Sequence, residues 1–490
     1  MVTLPSTLLA LTKTKIKTKT QLLSFAYYKV TMAYQLPSEY PSVASNNPSI
    51  PNSFMGDDLR HFPGAKSSLR YIPTSSGSSI SSSSSALFML PQETHSYIRP
   101  GSMYLKGRVT VTAALATTGG AAVFAWAFAG QNSTAVTGAA TVVGGNGSAN
   151  SLFTRWTVNC GGLSMTYQNM NHYRAAILPH ALSKDYVEND LRQSELSGFV
   201  KLSSGTAGDN VAANKQANFS IPVPCPCFNS ETAFPLLLLQ GGIQIEVQTE
   251  ALNAAIHSPT GATTVTAYSL DQLTLCYELT TVTEDYKRAL IAAKAHSSYL
   301  IHMNDMLSLG AQNVAASTRL SIGVSLSSLK GGVFTFQPVA CVADQVTPCY
   351  YCLNGMTSYN VSINGQIVTL SNINDDTMMY MELQRALGRI SDSTITSALT
   401  QVTNTTLTTL RNNYTSSAFA AGFSLENHDD WSFSSTGVPC DNIALDLTLG
   451  TPDATCFQIA TANASSNMYL FLFFDSVLVI GPDGMCSLRK

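Results

Sequence analysis

The stretch that decides the fold is Tyr268-Ser-Leu-Asp-Gln-Leu-Thr-Leu-Cys-Tyr-Glu-Leu-Thr-Thr-Val-Thr-Glu-Asp-Tyr-Lys-Arg-Ala-Leu-Ile-Ala-Ala-Lys294. Its periodicity changes halfway. Leu273, Leu275, Tyr277 and Leu279 alternate with Gln272, Thr274, Cys276 and Glu278, the pattern of a half-buried strand. Tyr286, Ala289, Leu290 and Ala293 then recur at i, i+3, i+4 and i+7, the pattern of a helix face. Thr281 and Glu284 have the spacing of a capping box, and Glu284 and Asp285 suit the positive start of a helix. A strand therefore gives way to a helix near Thr283. β-rich sequence lies on both sides, so the helix is expected to connect two similar β-units.

Working outward from this switch, the same order of elements occurs twice. Phe219-Ser-Ile-Pro-Val223 has a counterpart in Phe419-Ala-Ala-Gly-Phe423, and Ile243-Gln-Ile-Glu-Val247 in Ile443-Ala-Leu-Asp-Leu447. Tyr167-Gln-Asn169 is matched to Tyr359-Asn-Val361. The offsets are 200, 200 and 192 residues (419 − 219, 443 − 243, 359 − 167). A near-constant offset is the mark of an old duplication. Many short strands with long loops, in two copies, predict an all-β protein with a few helices. The expected form is two consecutive eight-stranded jelly-roll sandwiches joined by a short helix.

The expected divisions are an extended N-terminal arm over 1–85, a first jelly roll over 86–283, a connector helix over 284–297, a second jelly roll over 298–482 and a tail over 483–490. The arm is rich in Pro, Ser and Asn and has little to bury. Residues 1–31 carry Lys13, Lys15, Lys17 and Lys19 and read as an extension ahead of a second possible start, Met32. They are expected to be dispensable for folding, and the lysines are the candidates for contact with nucleic acid. Within the first unit, Phe124, Trp126 and Phe128 predict a strand, and 185–192 a short helix. Within the second, Leu320–Leu326 and Val333–Phe336 read as separate strands, and 375–389 as a helix stopped by Gly388. Loops are expected over 137–150, 198–214 and 390–413.

Composition narrows the function. Charged residues are 12% of the 490, about half the usual share. Such a surface suits a protein that covers much of its exterior with copies of itself. The net charge of −3 gives no global attraction to nucleic acid or anionic membrane. The apolar run Met468–Phe474 is too short to span a bilayer as a helix, but it lacks polar alternation, so both of its faces need cover.

Catalytic signatures are missing from the sequence. There is no Gly-x-Ser-x-Gly, no Gly-x-x-x-x-Gly-Lys and no His-Glu-x-x-His, and no two histidines stand at i, i+2 as in metal-binding jelly rolls. Cys225, Cys227, Cys349 and Cys352 are the candidates for a zinc site, but no spacing joins the two pairs. The expectation is free thiols, no metal, no cofactor and no catalytic residue. Glu246 and Glu250 could face a sugar as a glycosidase pair, yet on one strand they read as a solvated face. Asp429-Asp430-Trp431 could hold a cation or a sugar, and reads more simply as a polar loop beside an indole.

Several of these stretches together resemble the double jelly-roll major capsid proteins of DNA viruses, in the lineage of polinton-like viruses and virophages. They are Tyr268–Leu275 running into Asp285-Tyr-Lys-Arg-Ala-Leu290, Ser325-Leu-Ser-Ser-Leu-Lys330, Met381-Glu-Leu-Gln-Arg-Ala-Leu-Gly388, Phe419-Ala-Ala-Gly-Phe-Ser-Leu-Glu426, Gly437, and Ile443-Ala-Leu-Asp-Leu-Thr-Leu449. The resemblance covers about residues 86–482, and order and spacing carry it more than any single motif. It implies a homotrimeric, pseudo-hexagonal capsomer built into an icosahedral virion shell, with penton and minor capsid proteins as partners. It also implies location in the virion after synthesis in the host cytoplasm or nucleus. The lysine stretch before Met32 departs from the family pattern. The other classes compatible with a sandwich are a carbohydrate-binding or adhesive protein and a sandwich-fold hydrolase.

Overall fold

In the computed structural model, the strand of the deciding stretch is longer than its alternation suggests, running Val265–Thr281. The described residues are 66–113, 127–128, 130–131, 146–181, 216–257, 265–294, 297–314, 317–342, 351–369, 373–388, 414, 419–425, 437–450 and 465–490. Tyr268 and Leu270 are buried at even positions, and Leu273, Leu275, Tyr277 and Leu279 at odd ones. The phase changes at a bulge between Asp271 and Thr274, where Gln272 adopts φ 54°. One extra residue on one strand turns the following side chains over, which keeps a single face toward the core.

The strands of the first unit are β1 (Lys66–Pro73), β2 (Ser79–Ser81), β3 (Ser85–Leu90), β4 (Ser96–Ile98), β5 (Tyr104–Ala113), β6 (Phe153–Cys160), β7 (Leu163–Tyr167), β8 (Gln216–Pro222), β9 (Ile243–Thr249) and β10 (Val265–Thr281). A helical segment follows β7, made of Met170–His172, a π-helical turn Tyr173–Ile177, and Leu178–Ala181; it is called α1 here. After β10 come helix α2 (Glu284–Lys294), β11 (Tyr299–Val314), β12 (Thr318–Pro338), β13 (Met356–Ile363), β14 (Gln366–Ile367), helix α3 (Asp376–Ala386), β15 (Ala421–Ser424), β16 (Val438–Leu449), β17 (Ser466–Ile480) and β18 (Cys486–Arg489).

Among the described residues the pairings are antiparallel, and the main strands fall into the same plan twice. In the first unit one sheet runs β8–β5–β10–β1, with β4 and β2 continuing the two flanks of β10, and the other runs β7–β6–β9–β3. In the second, β15–β12–β17–β11 and β14–β13–β16–β12 are two layers of one continuous hydrogen-bonded sheet, joined where β12 passes from one layer to the other. Each sandwich is thus a jelly roll of two layers four strands across, and the chain folds as a double jelly roll. The matched stretches Phe219–Val223 and Phe419–Phe423 overlap equivalent strands, β8 and β15, with Phe419 itself two residues before β15, and Ile243 and Ile443 fall on the equivalent strands β9 and β16. The pair Tyr167/Tyr359 does not. Tyr359 lies on β13, the counterpart of β6, so the equivalent hairpins are Cys160–Leu163 and Ile363–Gln366, offset by 203 residues (363 − 160).

Alternation explains most faces. Ile243, Ile245 and Val247 are buried on β9, while Gln244, Glu246 and Gln248 are half-buried. Phe88, Leu105, Phe153, Trp156, Phe219 and Leu275 fill the first core. The Phe153 ring meets those of Trp156 and Phe219 at 5.7 and 5.9 Å. Phe334, Phe336, Tyr359, Phe419, Phe423 and Leu472 fill the second. Each such side chain contributes about 1.5–3 kcal/mol by leaving water.

Four expectations change. Residues 318–338 form one strand, not two: β12 gives its first half to β16 and its second to β17 and β15, bending across register shifts between Gly323 and Leu329. The cap of α2 is Thr283, whose Oγ1 accepts from the Tyr286 N–H at 3.4 Å, because Thr281 still belongs to β10. The stretch expected as an arm carries β1 and β2, both paired with β10; β1 buries almost nothing, so no alternation marked it. The expected tail carries β18, paired with β17. Helix α3 forms as expected. Asp375 accepts from the Thr377 N–H at 3.1 Å to cap it, and Gly388 at φ 69° ends it. The expected strand at 124–128 lies largely outside the described residues, as do the helix at 185–192 and the three long loops apart from 146–150.

Candidate functional site

Among the described residues, several hydrogen-bonded titratable side chains lie where the two sandwiches meet. Helix α2 connects them in sequence but packs on the first, with Tyr286 and Leu290 against Tyr97, Leu237 and Val282. The junction itself is made by strands. The first half of β11 pairs with the last half of β17, and Tyr299, Ile301, Met303, Leu478 and Ile480 from these two strands belong to the first core.

A second connection covers the outer face of β17. Met468, Leu470, Leu472 and Phe474 point into the second core. Tyr469, Phe471 and Phe473 point the other way and are met by Tyr173, Ala176 and Ile177 of α1 and Leu383 of α3. Tyr173 reaches the Phe471 and Phe473 rings at 5.3 and 6.2 Å. The apolar run thus has both faces covered within one chain, one of them by a helix of the other sandwich.

Titratable groups here include Asp305, which is buried, and His172 and Glu250, which are half-buried. The His172 ring stacks on Tyr469, and its Nδ1 lies 3.0 Å from the Tyr351 hydroxyl; burial lowers its pKa to about 3. Asp305 on β11 accepts from the Met306 N–H at 2.8 Å and the Ser476 hydroxyl at 3.1 Å, and burial raises its pKa. Glu250 accepts from Asn171 Nδ2 at 2.8 Å and from the Ala251 N–H at 2.7 Å, and burial raises its pKa too. Each of these groups has partners that fix its place, and each ties elements together. At the bend of β12, the Ser328 hydroxyl donates to Asp475 at 2.9 Å and accepts from the Gly437 N–H at 2.8 Å, while Lys330 pairs with the other Asp475 oxygen at 2.7 Å.

The structure separates the residues singled out in the sequence. Glu246 faces outward on β9 and pairs with Arg155 at 3.3 Å, whereas Glu250 lies past the strand end in the contacts just described, so the two do not flank a common space. Cys225 and Cys227 are in the first core. Cys352 sits in the second sandwich, its N–H donating to the Phe336 carbonyl at 3.0 Å. Cys349, Lys13, Lys15, Lys17, Lys19 and 429–431 lie outside the described residues. Among the described residues no three His, Cys, Asp or Glu side chains group as a metal site, and no helix is long and apolar enough to cross a membrane. The outer surface offers exposed apolar side chains on both sandwiches, including Leu69, Tyr71, Met89, Ile367, Met378 and Met381.

Two jelly rolls in tandem, joined through a shared apolar junction, define the class of fold. Among solved structures, the chain is similar to VP54 of PBCV-1, with 13% identity, a TM-score of 0.51, and 87% of this chain and 97% of that chain covered. It is likewise similar to a chain of the Sputnik virophage structure, with 12% identity, a TM-score of 0.52, and 87% and 88% covered. No family model and no curated protein matches the sequence. Both structural neighbours come from viral particles, and the fold they share with this chain is the double jelly roll expected from the sequence.

Proposed function

We propose that this chain is a major capsid protein, with a structural and not a catalytic role, which forms homotrimers that tile an icosahedral shell. The observation that carries the reading is that the similarity runs through both sandwiches and the junction in one order, over nearly the whole of a viral capsid protein. Similarity confined to one sandwich would have fitted any jelly-roll module. The sparse charge supports it, because neutral polar groups cost less to bury at contacts than ions do. The apolar run on β17 does not, since the chain covers it by itself.

Three copies closing a ring would use two different patches repeated by rotation, each contact burying about 2,000 Å² or more. Penton and minor capsid proteins are the further partners in this reading, and the N-terminal lysines its nucleic-acid contact. The virion is the proposed location, after synthesis in host cytoplasm or nucleus. Light scattering on purified protein tests the proposal. The expected mass is three times 52.3 kDa, with shells or capsomers visible in negative stain. A folded monomer at micromolar concentration that never assembles would overturn it.

A further inference from the structure

The last strand belongs to one sandwich and is fastened to the other. β18 lies along β17, with Cys486 opposite Ile480 and Arg489 opposite Val477. The turn before it, closed by a Gly484 N–H to Gly481 carbonyl bond of 3.0 Å, rests on the first sandwich. There the Gln240 N–H donates to the Gly484 carbonyl at 3.1 Å, and the Cys486 N–H donates to the Gly161 carbonyl at 2.8 Å. Gly161 and Gly162, with φ of 49° and 80°, make the tight turn between β6 and β7. A methyl group added to Gly161 would stand 2.7 Å from Cys486 Sγ, so the thiol is pressed against this turn. The residue just before the turn is Cys160, only 2% exposed, and the Cys486 side chain packs against the same core cluster.

The two thiols differ in a useful way. Cys486 is partly exposed, whereas the other cysteines among the described residues are buried. Interaction between the two thiols holds the Cys486 pKa down and pushes that of Cys160 up, and burial adds to the rise at Cys160. A solvent-reachable thiol with a second thiol behind it is the arrangement of reversibly oxidised cysteine pairs. We propose that Cys486 and Cys160 form an oxidation site for hydroperoxides, closing a disulfide that locks the C-terminal strand to the first sandwich.

The chemistry balances with the hydroperoxide as oxidant. The Cys486 thiolate attacks the distal peroxide oxygen; an S–O bond forms, the O–O bond breaks, and the departing alkoxide or hydroxide takes a proton. Cys486 is then a sulfenic acid. The Cys160 sulfur attacks Cys486 Sγ, the S–S bond forms, the S–O bond breaks, and hydroxide leaves with the Cys160 proton as water. Two thiols and one hydroperoxide become one disulfide, one alcohol (water, for hydrogen peroxide) and one water. The bridge joins positions 160 and 486, and a cross-link closing so long a loop removes much of the freedom of the unfolded chain.

The test is independent of assembly. The full chain is treated with stoichiometric hydrogen peroxide, digested without reduction and analysed by mass spectrometry, with melting recorded before and after. The expected result is a Cys160–Cys486 cross-linked peptide, lost on treatment with dithiothreitol, and a melting temperature raised by several degrees. Cys486→Ser should abolish both effects, while Cys227→Ser, which removes the neighbouring buried thiol, should keep them. Recovery of Cys486 bridged to Cys227, as an unbridged sulfinic acid, or as an unreacted thiol would overturn the proposal.

Discussion

His172 of the first sandwich lies on Tyr469 of the second, with ring centroids 3.8 Å apart and planes 18° from parallel. The neutral ring is part of the junction. Its pKa falls from the model-compound value of 6.5 to about 3 because burial disfavours the cation. Between those values the unfolded chain holds more protons than the folded one, so the stability due to this residue is complete above pH 6.5 and drains away as pH falls toward 3. The loss between pH 7 and pH 5 is about 2 kcal/mol, at roughly 1.4 kcal/mol per unit below 6.5. Asp305 and Glu250 act in the opposite sense: their raised values favour the folded form at low pH, a contribution lost as pH rises through them. Urea midpoints at pH 7 and 5 should therefore converge in His172→Phe, which keeps the stacking and loses the titration. An unchanged difference between the two midpoints would refute this assignment.

Phe471 is fully buried between β17 and α1. Phe471→Ala should cost about 3–5 kcal/mol, the usual range for emptying such a site. Because the contact joins the two sandwiches, their unfolding should also separate into two transitions in calorimetry. Met378→Ala, on an exposed part of α3, should change stability by less than about 0.5 kcal/mol.

Gly437 is required by close packing. A Cβ there would stand 2.3 Å from the Leu329 carbonyl oxygen and 2.4 Å from its carbon, both backbone atoms at the bend of β12. Gly437→Ala should lower stability by about 1–3 kcal/mol in thermal melts. Gly323→Ala, on the same strand with nothing within 4 Å of the added carbon, should be neutral or slightly stabilising.

Deletion of residues 1–31, which sequence composition marks as unable to join a core, should leave the melting temperature unchanged. Deletion through Pro73 should not be silent. It strips β1 from β10 and leaves the backbone groups of residues 274–281 unpaired on that side, an edge open to other chains. Light scattering should then show disordered association beyond any trimer.

The parts of this fold that were legible in sequence are those where one face is wet. Ile243, Ile245 and Val247 alternate with polar residues, as do Leu273 to Leu279, so both strands and the repeat at 443 could be read directly. Where the chain is covered on both faces or on neither, the signal fails. β1 has no buried face to betray it. Gly331 and Gly332 suggest a break in β12, yet they let Phe423 and Leu472 pack close to a continuous strand. Sequence showed that Met468–Phe474 needed two covers, but not that α1 supplies one. The Cys160–Cys486 pair carries no spacing signal at all, because a long stretch of chain separates residues that only the junction brings together.

The junction also fixes the order in which the molecule can be made. Tyr299, Ile301, Met303, Leu478 and Ile480 complete the core of the first sandwich, although they are translated after its own strands. A ribosome that has finished residue 281 has delivered a sandwich with one side still open. That side must wait for nearly two hundred further residues before β17 arrives to close it. Domain-by-domain folding during synthesis is the common route for long chains, and here it stops short. The first half is expected to keep apolar surface in water until β17 arrives, so the last step in folding the first sandwich follows synthesis of most of the second.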